Sequence, residues 1–224
     1  MRCIITPCGG PPEGHDRVRA SQRRLLPLER RLPFQEYSQI IGLCTPLGKP
    51  GWIMRSPQKV LVTGFPGCGK STLIEKIVCQ IRRPMVGFFT RELREGGQRI
   101  GFSIATLDGK RGVLAHRDRR GPPRVGKYGV DLEELERLAM PAMRPPSPDY
   151  VVIIDEIGTM ECFSSRFRDL LTQLLDSGND LLASISQRGD RFIERIKARP
   201  DVRVIHLSQK NRDALVSLAG LFNG

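Results

Sequence analysis

The chain has 224 residues, of which 39% are hydrophobic and 27% charged, with a formal net charge of +12. This supports one ordinary domain with a sizeable core plus a short appendage, and it excludes fibrous and largely disordered classes. No apolar run is longer than Tyr150 to Ile154, well short of the roughly 18 residues of a membrane helix, so no membrane association is expected.

A basic field favours polyanionic partners. The Arg and Lys residues are scattered, however, and aromatics make up only 6%, so a base-stacking platform for nucleic acid has little support. A nucleoside triphosphate is also a polyanion and remains the better candidate. The six cysteines include no CxxC pair, which is neither a zinc pattern nor a disulfide framework. A reducing, cytoplasmic location is expected.

Residues 1–56 hold seven of the 17 prolines and show no sustained periodicity, which predicts a poorly ordered Pro/Arg-rich leader. Met54 is a candidate start for the folded part. From residue 57 to 224 strands and helices alternate. Lys59 to Thr63 reads as a strand, followed by a Gly-rich turn and a helix from about Lys70 to Arg82. Val86 to Thr90 and Arg99 to Leu107 read as strands around the turn signal Glu95-Gly96-Gly97, with a further strand at Gly112 to His116. A local antiparallel excursion is expected there. Asp131 to Met143 reads as a helix with an aspartate cap. Tyr150 to Ile154 lacks alternation, the mark of a strand buried on both faces of a parallel sheet. Helix (Ser164 to Ser177), strand (Asp180 to Ser186), helix (Asp190 to Ala198), strand (Val202 to Leu207) and helix (Asn211 to Leu221) complete the series. Such alternation predicts an α/β fold with a mainly parallel sheet and helices on both faces.

The turn after the first strand, Gly64-Phe65-Pro66-Gly67-Cys68-Gly69-Lys70-Ser71, matches GxxxxGK[ST]. Its glycines let successive backbone N–H groups point inward at phosphate oxygens, and the following helix adds the positive end of its dipole. Lys70 is expected at the β and γ phosphates, Ser71 on Mg²⁺, and Thr72 at the α phosphate. Mg²⁺ is hard and prefers oxygen, so a second strand should end in a carboxylate beside the loop. Val151-Val152-Ile153-Ile154-Asp155-Glu156 supplies one. Asp155 is the expected metal partner, and Glu156, on the other side of the chain, is placed to orient or deprotonate a water.

Five segments together resemble one family: Gly64 to Thr72, Gly87 to Phe102, Val125 to Val130, Ile153 to Glu161 and Glu194 to Arg212. It is the small nucleoside-triphosphatase family of the cancer-related nucleoside-triphosphatase type. The resemblance covers about Gln58 to Gly220 and leaves the leader outside. It implies a Rossmann-like P-loop fold related to the RecA and AAA+ group, and slow hydrolysis of ATP, GTP, CTP, UTP and TTP with low base selectivity. Carried over by position, Gly64 to Ser71 form the phosphate site. Val151, Val152, Ile153, Ile154, Asp155, Glu156, Ile157 and Gly158 form the acidic strand end against it.

Thr90, Glu92, Arg94 and Arg99 match a further family segment, in which one arginine is expected near the phosphates, with structural ion pairing the alternative. Lys127 and Tyr128 match another, whose alternative role is a loop held by two glycines. Ser184 and Gln187 depart from the family's pattern, which weakens the case for a sensor role at that strand end.

Two other readings compete with the hydrolase. A nucleotide or nucleoside kinase needs an acceptor pocket and an Arg-rich lid, for which Arg111 to Arg124 is the candidate, although Pro122-Pro123 favours a loop. A nucleic-acid-linked ATPase would normally be longer, and Gln209-Lys210-Asn211-Arg212 is not the NKxD of a guanine-reading switch. The sequence marks no intrinsic arginine finger, so slow turnover is expected, and it sets no oligomeric state.

Overall fold

The computed structural model describes residues 56–224. Apart from Ser56, the expected leader lies outside the described residues, as does Met54.

The strands are β1 (Lys59–Thr63), β2 (Met85–Glu95), β3 (Gln98–Thr106), β4 (Arg111–His116), β5 (Arg124–Val125), β6 (Tyr128–Val130), β7 (Val151–Ile157), β8 (Asp180–Ile185) and β9 (Arg203–His206). The α-helices are α1 (Lys70–Val78), α2 (Leu132–Ala142), α3 (Ser165–Asp176) and α4 (Arg191–Lys197), with 3₁₀ segments at Glu161–Phe163 and Ala214–Phe222. Three helices start where a side-chain oxygen satisfies a first-turn N–H. Asp131 caps α2 through Glu134 N, Ser164 caps α3 through Phe167 N, and Asp190 caps α4 through Phe192 N and Ile193 N.

All nine strands join one sheet in the order β5-β6-β4-β3-β2-β7-β8-β1-β9. From β2 to β9 the pairings are parallel, and from β2 outward to β5 they are antiparallel. Alternation along β7 divides the core. Val152 and Ile154 face the layer of α2, α3 and α4, whereas Val151 and Ile153 face α1 and the final 3₁₀ segment. The fold is a doubly covered P-loop architecture with a parallel core, as the sequence predicts, and the antiparallel excursion makes up the other half of a mixed sheet.

The differences from expectation have local causes. Helix α1 stops at Val78 instead of Arg82, because Pro84 biases Arg83 towards extended backbone and Gln80 and Ile81 turn back on Ile77 and Val78. Strand β2 runs five residues beyond its predicted end at Thr90, since β3 gives it a ladder partner out to the Glu95–Gln98 pair, while β3 is shifted by only one residue at each end. The Val125–Val130 segment, with a glycine-held loop as one reading, forms the short pair β5–β6. The expected last helix is a 3₁₀ segment, tightened by Ser217 Oγ donating to Ala214 O at 2.7 Å.

β2 can lie beside β7 only because residue 87 is glycine. A Cβ at Gly87 would stand 1.8 Å from Ile153 O, and the residue's φ is +133°. Gly87→Ala is expected to cost about 3 kcal/mol or more through this overlap, read as a lower urea midpoint at unchanged m-value.

Candidate functional site

β1 delivers the chain at Thr63 into the Gly64–Gly69 turn, and α1 begins at Lys70. Gly67 and Gly69 have φ of 76° and 98°, angles that a side chain opposes. Gly69 is the N-cap of α1, no side chain caps the helix, and its first turn carries no acidic residue. Nothing on the helix itself therefore competes with an anion for its leading N–H groups. Lys70 Nζ folds back to donate to Gly64 O at 3.4 Å, so the one ammonium in the loop stands over the loop itself.

The acids lie within β7 and not beyond its end, because the strand continues to Ile157. The β7–β8 register shifts between Ile154, which pairs with Ala183, and Ile157, which pairs with Ile185. Three steps on β7 thus match two on β8, a bulge that re-aims the side chains of Asp155 and Glu156. Asp155 is fully buried and accepts a hydrogen bond from Ser184 Oγ, with the Ser71 hydroxyl close enough to favour its charged form. Arg91 Nη1 lies 3.5 Å from its Oδ2 and Nη2 of the same guanidinium pairs with Glu75 on α1. Burial pushes the Asp155 carboxyl above the usual carboxylate range, against the pull of Ser184, Ser71 and Arg91. Half-buried Glu156 accepts from Ser186 Oγ at 2.8 Å. The end of β8 therefore touches both acids, through Ser184 and Ser186, although its departures from the family pattern gave little reason to expect this.

Of the expected site residues, Val151, Val152, Ile153, Ile154 and Ile157 are core. Gly64 to Ser71 form the loop and helix start, followed by Thr72. Gly158 borders a second carboxyl that local sequence does not mark. Glu161 Oε2 accepts from Gly158 N at 3.1 Å, and the side chain is 4% exposed. A Cβ at Gly158 would meet Glu161 Oε2, Ser186 Oγ and Glu156 Oε1 at 2.9, 3.3 and 3.6 Å. The two glutamates thus share one small space. Burial, reinforced by the Glu156 charge, pushes the Glu161 carboxyl up to about 8.

The donor set suits Mg²⁺. Ser71 and Asp155 offer hard oxygens at adjacent points, and Mg²⁺ takes one or two protein ligands and fills the rest with phosphate and water. Among the described residues no group of three or more His, Cys, Asp or Glu is placed to hold a metal, which leaves no all-protein cage.

The arginines expected near the phosphates are engaged elsewhere. Glu92 pairs with both Arg94 and Arg99, and Arg99 Nε also donates to Tyr128 OH at 3.1 Å. Tyr128 is buried in β6 with Phe102 edge-on at 5.4 Å, and Lys127 lies over its ring. These residues fasten the antiparallel half of the sheet. The candidate lid begins as β4, five strand positions from β1, or roughly 24 Å at the usual spacing. It is built into the sheet edge and does not stand over the loop. The arginines that do approach the site are Arg91 and, beside Gly69, Arg212.

Fold and site together define a P-loop protein with its acidic strand one position removed from the loop strand. A family model described as NTPase matches residues 59–218, and the chain belongs to that family. It is 46% identical over 159 residues to the nucleoside-triphosphatase THEP1 of Thermotoga petrophila, spanning 70% of this chain and 88% of that protein. It is 39% identical over 174 residues to the cancer-related nucleoside-triphosphatase of Homo sapiens, spanning 70% and 92%. The crystal structure of THEP1 from Aquifex aeolicus superposes with a TM-score of 0.66 at 36% identity, covering 71% of this chain and 95% of that one.

Glu161 sets a pH dependence. Its folded value lies above that of the unfolded chain, so the folded state holds the extra proton and loses stability as pH rises from about 4.5 to about 8. In metal-free protein, Glu161→Gln should remove this slope and gain stability over the parent across that window. The expected relative gain is at most about 5 kcal/mol, measured from urea midpoints at both ends of it.

Proposed function

We propose that the chain is a Mg²⁺-dependent nucleoside-triphosphatase that hydrolyses ATP, GTP, CTP, UTP and TTP to the diphosphate and phosphate, with little base discrimination. The observation that carries this is the placement of buried Asp155, tied to Ser184, beside Ser71 at the start of the helix leaving the phosphate loop. The matched family and the names of its relatives support the same activity. No helix among the described residues is long and apolar enough to cross a membrane, in keeping with a cytoplasmic enzyme.

In this reading the amides of Gly64–Gly69, the start of α1 and Lys70 bind the β and γ phosphates, and Thr72 donates to the α phosphate. Ser71 and Asp155 hold Mg²⁺, which when bound neutralises charge on the β and γ oxygens. Glu156, held by Ser186, orients a water in line with the γ phosphorus and takes its proton as the new P–O bond forms. The β–γ bridge bond breaks, and its electron pair leaves on the diphosphate, where Lys70 and the loop amides meet the growing charge. The serine contact keeps Glu156 at the strand end while leaving one carboxylate oxygen for water. Arg91 is committed to Glu75 and Asp155, so no guanidinium is assigned to the transferring phosphoryl group. Turnover is accordingly slow.

Phosphate release from γ-labelled ATP and GTP tests this. Glu156→Gln is expected to slow release about 100-fold or more while nucleotide still binds, and Lys70→Ala to abolish it. Chelation of Mg²⁺ should stop release, and kcat/KM should vary by less than about tenfold among the bases. Transfer of label to an added nucleoside or monophosphate would make the protein a kinase instead, and release only with nucleic acid would reject a free-standing hydrolase.

A further inference from the structure

The triphosphate end of the site is well furnished, but nothing described so far receives the nucleoside. The strand order supplies a direction. Asp155 and Glu156 on β7, with Ser184 on β8 and Ser186 just past its end, all stand to one side of β1, while β9 stands on the other. A triphosphate whose terminal phosphate meets those acids runs back across the loop towards β9, and its ribose and base emerge over the segment that follows β9.

That segment is clamped to the loop. Leu207 N donates to Thr63 O at 2.7 Å, and Leu207 O passes so near Gly64 that a Cβ there would stand 2.9 Å from it. The Asn211 side chain staples the turn from within, accepting from Ser208 N and donating to His206 O, both at 2.8 Å. On the far side Asp213 lies 4.0 Å from Lys76 of α1. Between these ties Arg212 is half-buried, and a Cβ on Gly69 would meet its Cδ and Nη1 at 3.7 Å. No carboxylate, carbonyl or aromatic ring among the described residues bonds or stacks with this guanidinium, in contrast to Arg91, Arg94 and Arg99.

We infer that Arg212 is the base-binding residue of the site: its guanidinium plane stacks on the nucleobase of a triphosphate held by Gly64–Ser71. The inference rests on the nucleotide-binding reading above and adds to it where the base lies. A guanidinium is planar, weakly hydrated and always charged, so it stacks on aromatic faces where an ammonium does not. Every base has a π face, and stacking of this kind tolerates any of them. A residue that holds bases by the face and reads no edge accounts for weak base discrimination. It lies beside Gly69 on the β9 side of the loop, on the other side of β1 from Asp155 and Glu156.

The test compares ligands with and without a base on the full chain with Mg²⁺. Nonhydrolysable ATP and CTP analogues and inorganic tripolyphosphate are titrated calorimetrically into the parent, Arg212→Ala and Arg212→Lys. Arg212→Ala should weaken both nucleotide analogues about tenfold and leave tripolyphosphate unchanged. Arg212→Lys, which keeps the charge and loses the plane, should recover little of that loss. Unchanged tripolyphosphate binding also shows the variant to be folded. Equal weakening of tripolyphosphate, full rescue by lysine, or unaltered nucleotide binding would each overturn the inference. A parent that binds the analogues yet releases no phosphate from ATP would sink the hydrolase reading alone, with Arg212 still decided by the same titrations. A parent that binds none of them would sink both.

Discussion

The site depends on how one buried carboxylate is kept. Asp155 is fully buried, and a carboxyl group so placed costs several kcal/mol unless its oxygens are met. Ser184 from the neighbouring strand, Ser71 from α1 and Arg91 from β2 converge on it. Each comes from a different element, so this cluster works as the joint between the two sides of β7 and the helix that leaves the loop. The β7–β8 bulge is part of the same arrangement, since it presents Asp155 to Ser184 of β8 and Glu156 to Ser186 just beyond it. Where β8 lies between the loop strand and the acidic strand, it becomes a polar contact surface as well as a spacer.

The antiparallel half of the sheet serves a different purpose. Glu92, Arg94, Arg99, Phe102 and Tyr128 knit β2, β3 and β6 through ion pairs, two phenol hydrogen bonds and an edge-to-face ring pair. Several of these groups are half exposed, where a single ion pair adds little, so their combined geometry counts for more than any one bond. The network stiffens the strand that carries Arg91 towards Asp155. It also explains why motif residues that look like phosphate ligands in sequence can be structural: an arginine is defined by the acid it meets, and Glu92 meets two.

The site is asymmetric in its chemistry. Towards β7 and β8 it is acidic and hydroxylic, with a second buried carboxyl, Glu161, packed behind Glu156. Towards β9 it is cationic, with Arg212 beside Gly69 of the loop. A triphosphate is itself asymmetric, with its charge concentrated at one end and a flat aromatic ring at the other. Metal and water chemistry fit the first side and face-on stacking the second. The high net charge of the chain is then a general property of its surface and need not imply a nucleic-acid partner.

Much of this was legible before folding. The loop motif, the apolar run ending in Asp155-Glu156 and the alternation of elements are local patterns, and local patterns follow from backbone geometry and from burial on one face or two. They were enough for the fold class, for the order of elements and for Lys70, Ser71, Asp155 and Glu156 as the candidate residues. What the sequence could not decide were contacts between residues far apart in the chain. Ser184, Ser186 and Arg91 look like ordinary strand residues until β7 is threaded between β2 and β8. Glu161 looks like a surface acid until a 3₁₀ turn buries it against Gly158. Arg94 and Arg99 resemble phosphate ligands until Glu92 is seen to bond Arg94 along β2 and Arg99 across the hairpin, and Arg212 looks like one basic residue among many until β9 pairs with β1 and lays it beside Gly69. For Ser184, Ser186, Arg91 and Arg212 the partner is chosen by sheet order and register, long-range properties that no local window of residues contains, whereas the Glu92 and Glu161 contacts are near in sequence and were hidden by the hairpin and the 3₁₀ turn that form them.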